Sequence, residues 1–373
     1  VVLALTATVF ATGAVTASAV TKASGPTSSA KALSTASCVS TAKERVAAFE
    51  KPIVFKAPGP SFSVAKDKGK KLWVIEEVSS LPVAVNLNDG IAAAAKAAGI
   101  KVTFFNGENT PATEAQGVSE AVAQHAAAID LEGVEPENVS AALKGAYAAK
   151  IPVVDDWNTD PNAPLDGEYA HVTFQYTLGG RELADYVLAE TGCKADVVAV
   201  NTPGLTSVND ASSGTVAEFK SLCPTCKVTV DNVLLANLAT GVGSSVVNDI
   251  QADSSINWVI CPFDAAADLV VPALQSAGIK NVQVAGHDGS APDIAFVRAG
   301  NIQTEDMTIG PPTLQGWITV DQVLRAMEKL PPSKQDVIPQ QILTSANITK
   351  SGNLFPKFGN FALDFETSWG LKK

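Results

Sequence analysis

From Leu72 onward, apolar runs of four or five residues alternate with longer stretches in which apolar positions recur every three or four residues. The short runs predict strands at Leu72 to Ile75, Val102 to Phe105, Ala126 to Ile129 and Ile151 to Val154. The longer stretches predict helices at Val85 to Ala98, Glu114 to Gln124 and Pro136 to Ala149. Strands that alternate with helices of about 10 to 15 residues imply βαβ crossovers, hence a parallel sheet covered on both faces. The pattern breaks at Asp155 to Glu168, an acidic loop, and Ala170 to Phe174 is again extended. A second series then follows. It has a helix from Gly179 to Glu190, strands at Asp196 to Val200, Lys227 to Val230, Trp258 to Ile260, Val282 to Ala285 and Ile302 to Thr304, a helix from Leu314 to Leu330, and a last strand near Val337 to Leu343.

Two series imply two lobes. The phrase Ala277-Gly278-Ile279-Lys280 before a strand echoes Ala98-Gly99-Ile100-Lys101 before an earlier one, which suggests two similar α/β units. The expected crossings between lobes lie near His171 to Tyr176, Met307 to Pro312 and Pro331 to Lys334. This assigns 70–172 and 310–333 to lobe 1, and 173–309 and 334–373 to lobe 2. Ahead of them, residues 1–19 are apolar and small and end Ala17-Ser18-Ala19, the pattern of a signal peptide. Residues 20–69 read as a Ser/Thr/Ala-rich tether, a short helix from Ala42 to Glu50 and a Pro-punctuated linker.

Composition narrows the picture. The 373 residues can bury a large core, and only 17% are charged, against about 25% in an average domain. The formal net charge of −11 argues against a nucleic-acid partner, which would need clustered Lys and Arg. Of the five cysteines, Cys193 and Cys226 fall at the same end of neighbouring strands. An exported chain favours oxidised pairs, so Cys193 is expected to bond Cys223 or Cys226. Cys38 is a candidate lipidation site that would tether the chain to a membrane.

Candidate chemistry gathers at strand ends. Asp288, in the turn Gly286-His287-Asp288-Gly289, lies just past a strand's carboxyl end, where open α/β sheets bind ligands. Glu76 and Glu77 follow the first strand, where glycines would stand in a dinucleotide enzyme; two acids there would repel a pyrophosphate and suit a cation or amine, and Glu76 is the one taken as a contact. Trp157, in the acidic loop, is placed to stack on an apolar ligand face. Phe263 and Tyr176 are further candidates for the cleft. No catalytic motif joins the three histidines to a nucleophile, and no metal or cofactor motif is complete. A secreted α/β enzyme and a sensor for a membrane receptor are the alternative classes.

From about Lys70 to Leu330 the order of elements resembles type I periplasmic solute-binding proteins of the ribose- and galactose-binding kind. Ala149-Lys150-Ile151-Pro152-Val153-Val154-Asp155 ends the first lobe and Gly286-His287-Asp288-Gly289 marks the second. The resemblance implies an α/β fold of two Rossmann-like lobes with parallel sheets, joined by three hinge crossings. It also implies a monomeric, exported, non-enzymatic protein at the cell surface, in the periplasm or outside the cell. Such a protein closes on a small polar ligand, sugar or sugar-like, and delivers it to ABC permease subunits. Carried over by position, the ligand contacts are Asp155 or Asp156 after the fourth strand, Asp264 after the strand Trp258 to Ile260, and Asp288, with Thr215 added from the helix after the fifth strand. Asp264 is equally placed to cap its own helix. The chain departs from sugar-binding relatives at Ser80-Leu81-Pro82-Val83, where a Phe pair is usual. It departs again at Asn209 to Thr215, which offers no Arg.

Overall fold

The computed structural model describes residues 34–56, 59–161, 167–308, 310–333, 337–348 and 359–372. The expected signal peptide and most of the tether lie outside them. The chain opens with α1 (Thr35–Phe49), capped by the Ser34 hydroxyl, which accepts the Ser37 N–H. Then come β1 (Lys71–Glu76), α2 (Pro82–Ala98), β2 (Lys101–Asn106), α3 (Pro111–Ala123), β3 (Ala128–Glu132), α4 (Ser140–Ala148), β4 (Val153–Asp156) and β5 (Ala170–Val172). The second series is α5 (Tyr176–Thr191), β6 (Asp196–Asn201), α6 (Thr206–Leu222), β7 (Lys227–Asn232), α7 (Leu238–Ala252), β8 (Trp258–Ile260), α8 (Asp264–Ser276), β9 (Gln283–Asp288), α9 (Ala291–Ala299) and β10 (Gln303–Thr308). It closes with α10 (Pro312–Met327), β11 (Gln341–Thr344) and α11 (Phe361–Ser368).

The strands form two sheets, ordered β2-β1-β3-β4-β5 and β11-β10-β9-β8-β6-β7. All pairings are parallel except that of β10 with β11. Leaving out β11 and reading from the β7 edge, the second sheet repeats the order of the first. The interior strands β3 and β6 are buried along their whole length; β6 reads as an apolar run from Val197 to Val200, whereas β3 buries Asp130 and Glu132 among its apolar residues. The edge strands β2 and β7 both begin Lys-Val-Thr, end in Asn and expose the same positions. These edges are the matching elements of the two lobes. The Ala-Gly-Ile-Lys echo misaligns them, because its second copy leads into the interior strand β9.

Close helix packing reinforces each lobe. A Cβ on Gly180 of α5 would stand 1.8 Å from the Ala211 carbonyl oxygen, and one on Gly214 of α6 would stand 2.1 Å from that of Thr177. Any side chain there would force the helices apart. Thr215 lies in this contact, fully buried, its hydroxyl donating to the carbonyls of Gly180 (2.9 Å) and Ala211 (3.1 Å).

The termini depart from the expected division. The helix expected from Ala42 begins at Thr35 and packs on α5 of lobe 2. From there residues 50–53 lie by lobe 2 and residues 59–64 by lobe 1, a fourth connection between the lobes. Ile53 N–H donates to Gln341 Oε1 (3.3 Å) near the lobe 2 sheet, whereas Phe62 and Val64 N–H donate to Ser368 and Trp369 carbonyls. The tail expected in lobe 2 supplies β11 to that sheet, but its helix α11 packs on α10 and α2 of lobe 1. A buried ion pair on α10, Arg325 to Asp321 (2.7 Å), anchors both termini. Asp321 accepts the Trp369 indole N–H (2.7 Å), and Arg325 donates to the Pro60 carbonyl (3.2 Å).

The disulfides also require correction. Cys193 bonds Cys38, and Cys223 bonds Cys226. The early start of α1 explains the first, since it brings buried Cys38 onto α5 beside Cys193, which follows the Gly192 cap. The second closes the tight turn between α6 and β7, where Cys226 N–H donates to the Cys223 carbonyl (2.9 Å). With its sulfur in a disulfide, Cys38 has no free thiol for a lipid. The Cys38–Cys193 bridge spans 155 residues, and cross-links over long loops stabilise by about 2–4 kcal/mol. Cys38→Ser should therefore lower unfolding stability by about that amount in urea titration, and an unchanged midpoint would contradict the role given to α1.

Candidate functional site

Parallel strands deliver their carboxyl ends to one edge of a sheet, and here the two edges face each other. Between them lies a cleft with about 720 Å³ of empty space, part of it open to solvent. Lobe 1 contributes Glu77 after β1, Gly133 and Glu135 after β3, and Trp157 after β4. Lobe 2 contributes Leu205, Ser207 and Val208 around the start of α6, Pro262, Phe263 and Ala265 after β8, and His287 and Asp288 at the end of β9. Phe174 and Tyr176, on the first crossing, complete the wall.

Trp157 is held from two directions. Its indole N–H donates to Gln315 Oε1 of α10 (2.5 Å), and its carbonyl accepts the Tyr176 hydroxyl (2.8 Å). It adopts φ 68°, a left-handed conformation that costs a bulky residue energy and that these contacts maintain. The Tyr176 ring packs on Phe174 at 4.1 Å between centroids, and Phe174 packs on His287 at 5.5 Å. Burial pushes the Tyr176 phenol well up, with Asp288 adding to the effect.

The β9 turn is braced by carboxylates. Gln340 Nε2 donates to His287 Nε2 (3.0 Å), which leaves the ring proton on Nδ1, 3.2 Å from Asp288 Oδ1. Asp288 Oδ2 accepts the Asp264 N–H (3.1 Å). Asp264 in turn accepts the N–H groups of His287 (3.0 Å) and Ser290 (2.6 Å). Asp264 thus acts as a bracket between β8 and β9, and is absent from the cleft lining. Burial drives its carboxyl well up, with Asp306, Asp293 and Asp288 adding repulsion.

Of the residues singled out from sequence, Trp157 and Asp288 line the cleft, as do Phe263 and Tyr176. The others turn away from it. Glu76 accepts a hydrogen bond from Asn88 of α2 (2.6 Å). Asp156 accepts the Thr319 hydroxyl of α10 (2.8 and 3.0 Å). Asp155 holds His171 Nδ1 and Asn158 Nδ2, and Thr215 joins α5 to α6. Alternation explains the first pair. In register, Glu76, Glu132 and Asp156 sit abreast on one face of the sheet, under α2 and α10. The side chain that reaches the cleft is therefore the next one along, Glu77 or Trp157. Glu135, Ser207, Phe174 and His287 were not singled out as contacts, and of the acid pair Glu76 and Glu77 the contact was assigned to Glu76. Continuing the period-2 alternation one step past β1 would have found Glu77.

Among the described residues, one group offers ligand atoms close enough for a metal ion: Asp155, Glu168 and His171, all within 4.8 Å of one another. His171 Nε2 lies 2.9 Å from the Thr159 carbonyl, so the ring is already bonded at both nitrogens. No member of the group lines the cleft.

The sequence profile of the periplasmic binding protein domain matches residues 74–330. The chain belongs to that family. This periplasmic binding protein is 24% identical over 261 residues to the ribose import binding protein of Salmonella typhimurium, covering 69% of the chain and 85% of the relative. It superposes on a sugar ABC transporter protein from Yersinia enterocolitica with a TM-score of 0.70 at 17% identity, over 84% of this chain and all of that one. It superposes on an ABC transporter solute-binding protein of Agrobacterium vitis with bound allitol at 0.68 and 17% identity, over 75% and 96%. The fold is thus that of type I periplasmic binding proteins, a family without enzymatic activity. Among the described residues no helix is long and apolar enough to cross a membrane.

The carboxyls make stability depend on pH. Burial, with Glu114 and Glu135 nearby, pushes Glu77 up to about 8. Burial and neighbouring acids also raise Asp185 to about 7 and Asp293 to about 9. The folded chain therefore holds protons that the unfolded chain has already released at neutral pH. Their stabilising contribution is complete below about pH 4 and is lost as pH rises through 7 to 9. The thermal midpoint should accordingly be higher at pH 5 than at pH 8, and a midpoint that rises over that interval would contradict the burial of these acids.

Proposed function

We propose that this protein captures one small, sugar-sized ligand in the cleft outside the cytoplasm and presents the closed form to ABC permease subunits. The observation that carries this reading is the contact between lobes at the rim of the cleft. Glu135 of lobe 1 accepts the Thr206 N–H at the start of α6 (2.8 Å), and the Thr159 hydroxyl donates to Asp210 (2.9 Å). These bonds join the lobes in a closed arrangement around a space lined by both. A ligand that touches both walls favours closure, whereas one that touches a single wall has no differential affinity for it. The resemblance to a ribose import protein and to an allitol-bound protein supports a ligand of that size.

A thermal-shift screen of pentoses, hexoses, polyols and amino sugars tests the reading. A hit should lose at least about tenfold in affinity, some 1.4 kcal/mol, in Glu77→Ala of lobe 1 and separately in Phe263→Ala of lobe 2. A hit unaffected by both, or sensitive to one lobe alone, would refute capture between the lobes.

A further inference from the structure

Resting on that reading, we infer that the cleft selects an amine: a sugar-sized molecule whose protonated nitrogen sits against Glu77 and whose apolar face lies against Trp157 of one lobe and Phe263 of the other. The inference comes from counting donors and acceptors. The acidic groups lining the cleft are the carboxyls of Glu77, Glu135 and Asp288, and no lysine, arginine, asparagine or glutamine lines it among the described residues. Most of the polar lining is already committed. Glu135 receives the Thr206 N–H, Asp288 receives the Asp264 N–H, the Tyr176 hydroxyl is spent on the Trp157 carbonyl, and His287 lies between Gln340 and Asp288.

Glu77 is the exception. Its half-buried carboxylate meets no hydrogen-bond donor among the described residues, and the titratable groups acting on it, Glu114 of α3, Glu132 of β3 and Glu135, are all acids. A carboxylate so placed lacks both a counter-charge and a donor. A neutral polyol meets this need poorly, because each hydroxyl brings acceptor lone pairs along with its proton and, among the lining side chains, Ser207 alone keeps an uncommitted hydroxyl for them. An ammonium group is donor-only and positive. Aromatic faces at the wall add cation–π attraction. Since burial holds Glu77 near pH 8, seating an ammonium at neutral pH expels its proton, and affinity should strengthen up to about tenfold per pH unit below that value.

Two matched pairs test the selection: 1-amino-1-deoxy-D-glucitol against D-glucitol, and phenethylamine against 2-phenylethanol. Titration calorimetry at pH 7 should find at least one amine bound about tenfold or more tighter than its neutral partner, with proton release on binding and a stronger affinity at pH 7.5 than at pH 6. The preference should vanish in Glu77→Gln, whose thermal midpoint should be no lower than that of the parent protein, and the affinity should fall in Phe263→Ala. Equal or better binding of the neutral partners, a preference that survives in Glu77→Gln, or no binding of either amine at millimolar concentration would overturn the inference. A nitrogen-free sugar that binds with dependence on both lobes would overturn amine selection and leave capture in the cleft standing. Binding that depends on neither lobe would remove both.

Discussion

The structure depends on one geometric constraint: two parallel sheets of the same strand order present their carboxyl ends to each other. A parallel strand ends where its chain turns into a helix, so each such edge gathers loop residues and helix N-termini rather than packed core. The chain crosses between the sheets at Thr173 to Tyr176, and Thr173 bridges Val337 on the returning segment. Those crossings keep the edges opposed, so that Glu77, Trp157 and Asp288, at or just past strand ends, face one cleft.

The same arrangement concentrates acid. Glu76, Glu132 and Asp156 lie side by side in lobe 1, buried, with Asn88 and Thr319 as partners for the outer two. Glu132 has no partner at either oxygen among the described residues, and burial, then Glu76 and Asp156, raise its carboxyl well above the ordinary range. Lobe 2 repeats the theme with Asp264, Asp293 and Asp306. Unpaired buried carboxyls persist by staying protonated. They couple stability to pH while leaving the cleft wall short of positive charge. The bracing that offsets this cost is mechanical: glycine-mediated contact of α5 with α6, the Arg325–Asp321 pair that ties down both termini, and α1 fastened to lobe 2.

Much of this was legible in the sequence. The alternation of strands and helices follows from short β-branched runs between long Ala-rich ones, and strand periodicity fixes which faces are buried. That Trp157 and Asp288 line the cleft was legible because one follows a strand end and the other closes a strand. Asp156 and Glu76 fall away from the cleft because one residue of register turns a side chain to the opposite side, and a boundary known only to within a residue or two cannot resolve that; Asp155, on the other face, is engaged by His171 and Asn158 instead. Thr215 and Asp264 are absent from the lining for another reason: their hydroxyl and carboxylate bond backbone groups of neighbouring elements. The pairing of Cys38 with Cys193 was hidden because it depends on helix α1 starting seven residues ahead of its apolar pattern and docking on a lobe 155 residues away.

The most direct measurement is the distance between the lobes, read by pulsed electron paramagnetic resonance from labels at exposed Ser80 in lobe 1 and exposed Ala291 in lobe 2. It would be recorded with and without a compound that stabilises the protein in the thermal screen. The expected result is a broad distribution in the free protein that becomes shorter and narrower when the compound is bound. Identical distributions in the two states would contradict a ligand gripped between two moving lobes.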